Sequence, residues 1–96
     1  MFRLEVSPET RNEVVALAIE LELNRSGFGE KFIRAYEQTI ILLEHYPFSN
    51  RLRYRKSRAI QIPKFSYLLI YKVYRDAVLV QKLIHVKRSL RKQYKS

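Results

Sequence analysis

The hydrophobic pattern in the first part of the chain predicts one strand followed by one helix. Residues 2–6 (FRLEV) alternate apolar and charged side chains, which is typical of a half-buried strand. Ser7 is predicted to be the N-cap of a helix, with Pro8 at its first position. Glu9 would then lie beside the positive end of the helix dipole. Apolar residues then follow at helical spacing: Val14, Val15, Leu17, Ala18, Ile19 and Leu21. We expect this helix to end near Asn24, because both glycines of the chain follow closely.

A second amphipathic segment starts at about Gly29. Its predicted buried face consists of Phe32, Ile33, Tyr36, Ile40 and Leu43. This helix has to end before Pro47, since the residue that precedes a proline is pushed out of the helical region. Two helices joined by a short glycine-containing loop predict an antiparallel hairpin.

After Asn50 the pattern changes to the period of strands. Strand-like composition or alternation is present in residues 51–55, 58–62, 65–74 and 77–86. Pro63 breaks or ends the second of these stretches and favours an edge position there. Arg75-Asp76 is predicted to form a tight hairpin turn, although the usual glycine is missing.

These elements predict an α+β fold with the order strand, helix, helix and three strands. The three closing strands form an antiparallel meander in one sheet, and the helix pair packs on one face of it. The opening strand joins the same sheet as an edge or an inner strand. The length of 96 residues predicts a single domain, residues 1–96. Its basic segment 87–96 (KRSLRKQYKS) is expected to be a partly mobile tail.

Charge is divided unequally between the two halves of the sequence. Residues 1–48 contain five Lys/Arg and eight Asp/Glu, a formal charge of −3. Residues 49–96 contain fourteen Lys/Arg and only Asp76 as an acid, a formal charge of +13. Such an excess repels itself within one domain and favours a polyanionic or acidic partner.

Composition excludes several kinds of protein. There is no cysteine, so no disulfide framework or thiolate nucleophile is expected, which is compatible with a cytoplasmic location. The two histidines, His45 and His85, cannot form a metal site without carboxylate help, and we predict neither metal nor cofactor. The longest apolar run is residues 14–19 (VVALAI), far too short to span a membrane. We also expect no membrane-surface role, because both predicted helices carry several glutamates.

Several segments, in this order and spacing, resemble the RelE/ParE superfamily of toxins from type II toxin–antitoxin systems. They are Ser7-Pro8-Glu9, the helix GEKFIRAYEQTIILL with Tyr46-Pro47, residues 58–63, the strand YLLIY and the closing LIHVKR. His85 and Arg88 have the His-x-x-Arg spacing of ParE-like members that are associated with plasmid stabilisation. The resemblance covers nearly the whole chain.

The resemblance implies a toxin that inhibits bacterial growth and is neutralised by a cognate antitoxin. ParE-type toxins poison DNA gyrase, whereas RelE-type toxins cut messenger RNA in the ribosomal decoding site. The ParE-like function is our main prediction. A nucleic-acid-binding module without toxicity is a further alternative, since tyrosines are interleaved with basic residues. The isolated chain is expected to be a monomer, or part of a heteromeric complex with the antitoxin.

The RelE-like alternative is a metal-independent endoribonuclease. Its implied catalytic residues in this chain are Arg88, Tyr94, His85 and Arg58. The resemblance places Leu68 where these nucleases have a strand arginine, and places Ala59 and Gln61 near their two strand lysines. An aliphatic side chain cannot stabilise the charge that develops on a phosphate during RNA cleavage. The sequence therefore favours the ParE-like function over the nuclease.

The basic residues of the second half form the predicted binding surface. Antitoxin or nucleic acid is expected to contact Arg53, Tyr54, Arg55, Arg58, Lys87, Arg88 and Arg91. An acidic antitoxin segment would complement this surface and associate in a salt-dependent way. Tyr67 and Tyr71, which alternate with their neighbours, are expected to face the core of the sheet.

Overall fold

The computed structural model describes residues 1–86, with two helices and a five-stranded sheet. The elements are β1 (Arg3–Val6), α1 (Pro8–Asn24), α2 (Phe28–His45), a 3-10 turn (Pro47–Ser49), β2 (Leu52–Tyr54), β3 (Ser57–Gln61), β4 (Tyr67–Tyr74) and β5 (Ala77–His85). The predicted α+β fold is confirmed. The prediction of a mobile tail at 87–96 lies outside the described residues.

Helix α1 begins as the sequence predicts. The hydroxyl of Ser7 accepts a hydrogen bond from the Thr10 backbone N–H at 3.2 Å, and Pro8 occupies the first turn. The Ser7 and Thr10 hydroxyls also bond to each other at 2.7 Å. The first of these bonds satisfies an N–H group that a helix end leaves without an intrahelical acceptor.

The junction between the helices depends on both glycines. Gly27 adopts φ 85°, a left-handed conformation that glycine reaches without a Cβ penalty. Gly29 lies so close to α1 that a Cβ atom there would be 2.3 Å from the carbonyl oxygen of Ala18. The carboxylate of Glu22 accepts hydrogen bonds from the backbone N–H groups of both glycines, at 2.8 and 3.1 Å. This junction fixes α1 and α2 as an antiparallel hairpin.

The sheet has the strand order β1-β5-β4-β3-β2. β1 is an edge strand and runs parallel to β5, while the other neighbours are antiparallel. Four strands follow the helices rather than three, because the stretch before Pro63 also forms a strand, β3, which is joined to β2 by a turn at Arg55, where φ is 54°. Gln61 is the last residue of β3, which agrees with a break near Pro63. The predicted edge position is wrong for Arg58, since Arg58 pairs with Leu52 of β2.

The hydrophobic core lies between the helices and one face of the sheet. Its buried members are Val14, Leu17, Phe32, Leu43, Ile62, Leu69, Tyr71, Val78 and Val80. Tyr71 is fully buried and Tyr67 packs against the same cluster, so the predicted orientation of both tyrosines is confirmed. We call this side of the sheet the core face and the opposite side the distal face.

Candidate basic and distal sheet surface

The distal face is defined by strand alternation and by the pairing register. Leu69 and Tyr71 point into the core, so Leu68, Ile70 and Lys72 belong to the other side of β4. Their partners across the sheet share that side, because directly opposed residues in an antiparallel pair have the same orientation. These partners are Gln61 and Ile84 for Leu68, and Ala59 and Lys82 for Ile70.

A second apolar cluster occupies the centre of the distal face. Ala59, Leu68 and Ile70 are buried, the last two with only 7% of their surface exposed. Ile84 and Val86 pack against them. The positions at which the resemblance implies nuclease cations, Ala59 and Leu68, are thus adjacent parts of one apolar cluster.

Beside this cluster lies an open basic depression of about 390 Å³. It is lined by Arg55, Lys56, Ser57 and Lys72. Arg55 and Lys56 form the turn between β2 and β3, and Ser57 and Lys72 come from adjacent strands on the distal face. Within residues 1–86 none of its three cations takes part in an ion pair. A group of unpaired cations around a concavity can bind carboxylate or phosphate groups.

Arg58 has a different environment from the depression. It is paired with Tyr71 in the β3–β4 register and therefore belongs to the core face. Its guanidinium donates a hydrogen bond to the carbonyl oxygen of Asn50 and lies 5.1 Å from the ring centroid of Phe48. These contacts hold the chain around the 3-10 turn against the sheet. Arg58 is thus engaged in packing within its own chain.

The Tyr71 hydroxyl completes this attachment. It donates a hydrogen bond of 2.6 Å to the Pro47 carbonyl oxygen and accepts one of 3.2 Å from the Asn50 amide. Burial raises the pKa of Tyr71, although the hydrogen bond from Asn50 and the charge of Arg58 act in the opposite direction. The hydroxyl therefore stays protonated at neutral pH and remains a donor.

His85 lies apart from Arg58. Its ring packs edge-on against Tyr67, the first residue of β4, with 5.0 Å between the ring centroids. Tyr67 and Tyr71 are four residues apart, so His85 and Arg58 are separated by about 13 Å along the strand direction. Two of the four predicted catalytic residues are therefore not brought together. Arg88 and Tyr94 lie outside the described residues.

Four of the predicted binding residues, Arg53, Tyr54, Arg55 and Arg58, lie within the described part of the chain. Arg53 and Arg55 are exposed, and Tyr54 is the last residue of β2. Lys87, Arg88 and Arg91 lie outside the described residues. Sequence reasoning missed Lys56 and Lys72 as partners of Arg55. The sequence does indicate which side of β4 Lys72 occupies, because Lys72 continues the alternation of Leu68 and Ile70 along one side of that strand.

The described residues contain neither a metal site nor a membrane span. No group of three His, Cys, Asp or Glu within 1–86 could hold a metal ion. Neither helix in this range combines the length and apolarity that a membrane crossing requires.

The sequence matches no protein-family model and no curated protein. Solved structures, in contrast, share its architecture. A chain of the chromosomal ParDE toxin–antitoxin system from P. aeruginosa superimposes with a TM-score of 0.79 at 10% identity, covering 90% of this chain and 97% of that one.

A second solved structure with this architecture is the isolated E. coli RelE toxin. It superimposes with a TM-score of 0.57 at 16% identity, and the match covers 98% of this chain and 99% of that one. At such identities the likeness concerns the fold. The resemblance found in the sequence is thereby confirmed at this level, and this chain has the RelE/ParE toxin fold.

Proposed function

We propose that this chain is the toxin of a type II toxin–antitoxin pair and that it acts in the ParE-like way, through DNA gyrase. The shared fold supports a toxin of the RelE/ParE kind. The TM-score is higher for the chain of the ParDE system than for RelE, 0.79 against 0.57, which favours the ParE-like branch.

The observation that carries the proposal is the apolar centre of the distal face. A metal-independent ribonuclease needs cations around the scissile phosphate and a base near the ribose hydroxyl. The positions that correspond to nuclease cations hold Ala59, Gln61 and Leu68, and two of these belong to a buried apolar cluster. A buried apolar cluster supplies no charge to a phosphate and therefore does not stabilise an anionic transition state.

The RelE-like endoribonuclease remains the competing function. It would require His85 and Arg58 to act on one phosphate together with Arg88 and Tyr94. His85 and Arg58 are about 13 Å apart along the strand direction, and Arg58 is held by Asn50 and Phe48. This arrangement favours a structural role for Arg58 over a catalytic one.

Induction of the protein in bacteria separates the two functions. The ParE-like function predicts filamentous cells, double-strand breaks and, with purified gyrase, inhibited supercoiling. The endoribonuclease predicts rapid arrest of translation with cut transcripts. Cut transcripts that disappear in the Arg88→Ala variant would refute the proposal, whereas inhibited supercoiling without RNA cleavage would support it.

We further propose that an acidic segment of the cognate antitoxin binds the basic surface around Arg53 and Arg55, including the depression with Lys56 and Lys72. The cations of the depression have no ion-pair partner within residues 1–86, so an incoming carboxylate need not displace one. A small acidic reading frame is expected beside the gene.

Purified toxin and antitoxin test this second proposal. The double substitution Arg55→Glu with Lys72→Glu is expected to weaken the complex at least about tenfold and to reduce its salt dependence. Lys31→Glu is the matched control, because Lys31 is an exposed cation on α2. Equal affinity of the double variant and the wild type would exclude the depression as the antitoxin site.

A further inference from the structure

Helix α1 is apolar on two sides. Its inner side contributes Val14 and Leu17 to the core. Its outer side carries Val15, Ile19 and Leu23, spaced four residues apart, with 56%, 56% and 82% of their surface exposed. Residues at this spacing form one row along a helix. We call this row the outer stripe of α1.

A row of exposed aliphatic side chains is unusual on a surface helix. The exposed side of such a helix normally carries polar residues, and a helix that is apolar all round is normally packed all round. No element in residues 1–86 covers the outer stripe, since α2 and the sheet contact the other side of α1. The outer stripe therefore has the character of a contact surface for another molecule.

The charge beside the outer stripe indicates the chemistry of that molecule. At 100° per residue, Glu9, Glu13 and Glu20 lie about 80–120° around the helix from Ile19, all on the same flank. All three are exposed, and none has an ion-pair partner within the described part of the chain. Together they form an acidic edge along one side of the stripe.

The other flank of the stripe lacks this acidic character. It contains Arg11, Arg25 and Glu22. The Glu22 carboxylate is occupied by the N–H groups of the helix junction, and Arg25 lies over the Phe28 ring at 5.5 Å. A partner that matches both features has an apolar row with basic residues along one edge.

We propose that the outer stripe of α1 binds an amphipathic helix of a partner protein, whose basic edge lies along Glu9, Glu13 and Glu20. This surface belongs to the helix layer, whereas the basic depression lies on the distal face of the sheet. The molecule thus presents two interaction surfaces of opposite charge. The inference stands independently of the gyrase and antitoxin proposals.

A second copy of this chain fits the stripe less well. The three side chains offer roughly 200–300 Å² of apolar surface, against about 800 Å² per partner in a stable interface. An antiparallel two-fold pair of α1 helices would also place the two acidic edges against each other. A docked helix with a basic edge supplies the positive charge that a second copy lacks at this place.

A designed peptide tests the proposal on the full-length chain. The probe is a helix-stabilised, fluorescently labelled peptide of about 18 residues with leucines at a, d and e positions and lysines along one edge. Its twin carries glutamates in place of the lysines. Fluorescence anisotropy at low and high salt measures both affinities. We expect the lysine peptide to bind at least about tenfold more tightly than its twin.

Variants locate the binding site. Ile19→Ser with Leu23→Ser should weaken binding about tenfold or more, and Glu13→Lys with Glu20→Lys should reverse the preference between the peptides. Ile41→Ser is the control, because Ile41 is an exposed aliphatic residue on α2. All substituted side chains are exposed, and thermal unfolding verifies that each variant folds.

Three results would overturn the inference. The first is equal binding of the two peptides, and the second is unchanged binding by the Ile19 and Leu23 double variant. The third is self-association of the wild type, seen by sedimentation and abolished by that double variant, since the occupant would then be a second copy.

Discussion

The contact between Gly29 and Ala18 gives the most direct test of the helix hairpin. In the Gly29→Ala variant the added Cβ would lie 2.3 Å from the Ala18 carbonyl oxygen and 2.9 Å from Cβ of Glu22. Carbon and oxygen atoms that are not bonded approach to about 3.3 Å at the closest. The two helices would therefore have to separate by about 1 Å. The atom nearest to the added Cβ is the backbone oxygen of Ala18, which cannot move aside as the end of a flexible side chain could.

The energetic cost can be estimated from two opposing effects. Forcing an extra methyl group into a packed contact costs about 1–3 kcal/mol. Replacing glycine by alanine in a helix stabilises the folded state by at most about 1 kcal/mol. The separation also disturbs the hydrogen bonds from Gly27 and Gly29 to Glu22. We expect a net loss of about 1–2 kcal/mol in the free energy of unfolding, or roughly 5–15 °C in Tm.

Urea denaturation followed by circular dichroism measures this loss as a lower midpoint with an unchanged slope. Gly27→Ala is the matched control, because φ is 85° at Gly27 and no atom lies within 4 Å of an added Cβ. That variant suffers only left-handed backbone strain, about 1 kcal/mol. A Gly29→Ala protein as stable as the wild type would refute the steric reasoning.

Three further variants test local contacts by the same measurement. Tyr71→Phe should cost about 1–3 kcal/mol, because the buried Pro47 carbonyl loses its hydroxyl donor; no change would mean that this bond is dispensable. Ser7→Ala should cost about 1 kcal/mol through loss of the N-cap, with Ser49→Ala as an exposed control. Burial raises the pKa of both Tyr36 and Tyr71. Unfolded tyrosines release their protons near pH 10 and the folded ones above it, so stability should be retained below about pH 10 and fall as the pH rises further. Tyr36→Phe should flatten this alkaline decline, and an unchanged slope would contradict the assignment.

Local signals in the sequence predict the helices well. Ser7-Pro8 sets the start of α1, and Pro47 follows the end of α2 at His45, because capping and proline geometry act on neighbouring residues. The tight turn at Arg75-Asp76 is also present, with Arg75 at φ 56° in place of glycine. Contacts within a few residues therefore determine these features.

Long-range pairing limits prediction of the sheet and of the site. The grouping of Lys72 with Arg55 depends on the β3–β4 register, which a pattern of single strands does not contain. The role of Arg58 was missed for a similar reason, since its acceptor at Asn50 is brought close only by the 3-10 turn. The apolar distal cluster also needs that register, because Ala59 and Ile84 flank β4 from opposite sides.

The parallel pairing of β1 with β5 has a consequence for synthesis of the chain on the ribosome. Arg3 is paired with Ala77, and the Ser7 hydroxyl bonds to the carbonyl oxygen of Gln81, 74 residues away. A nascent chain that stops short of β5 leaves β1 without its neighbour and lacks Val78 and Val80 of the core. The sheet can therefore close only after β5 has been synthesised, so its native surfaces form later than the helix hairpin.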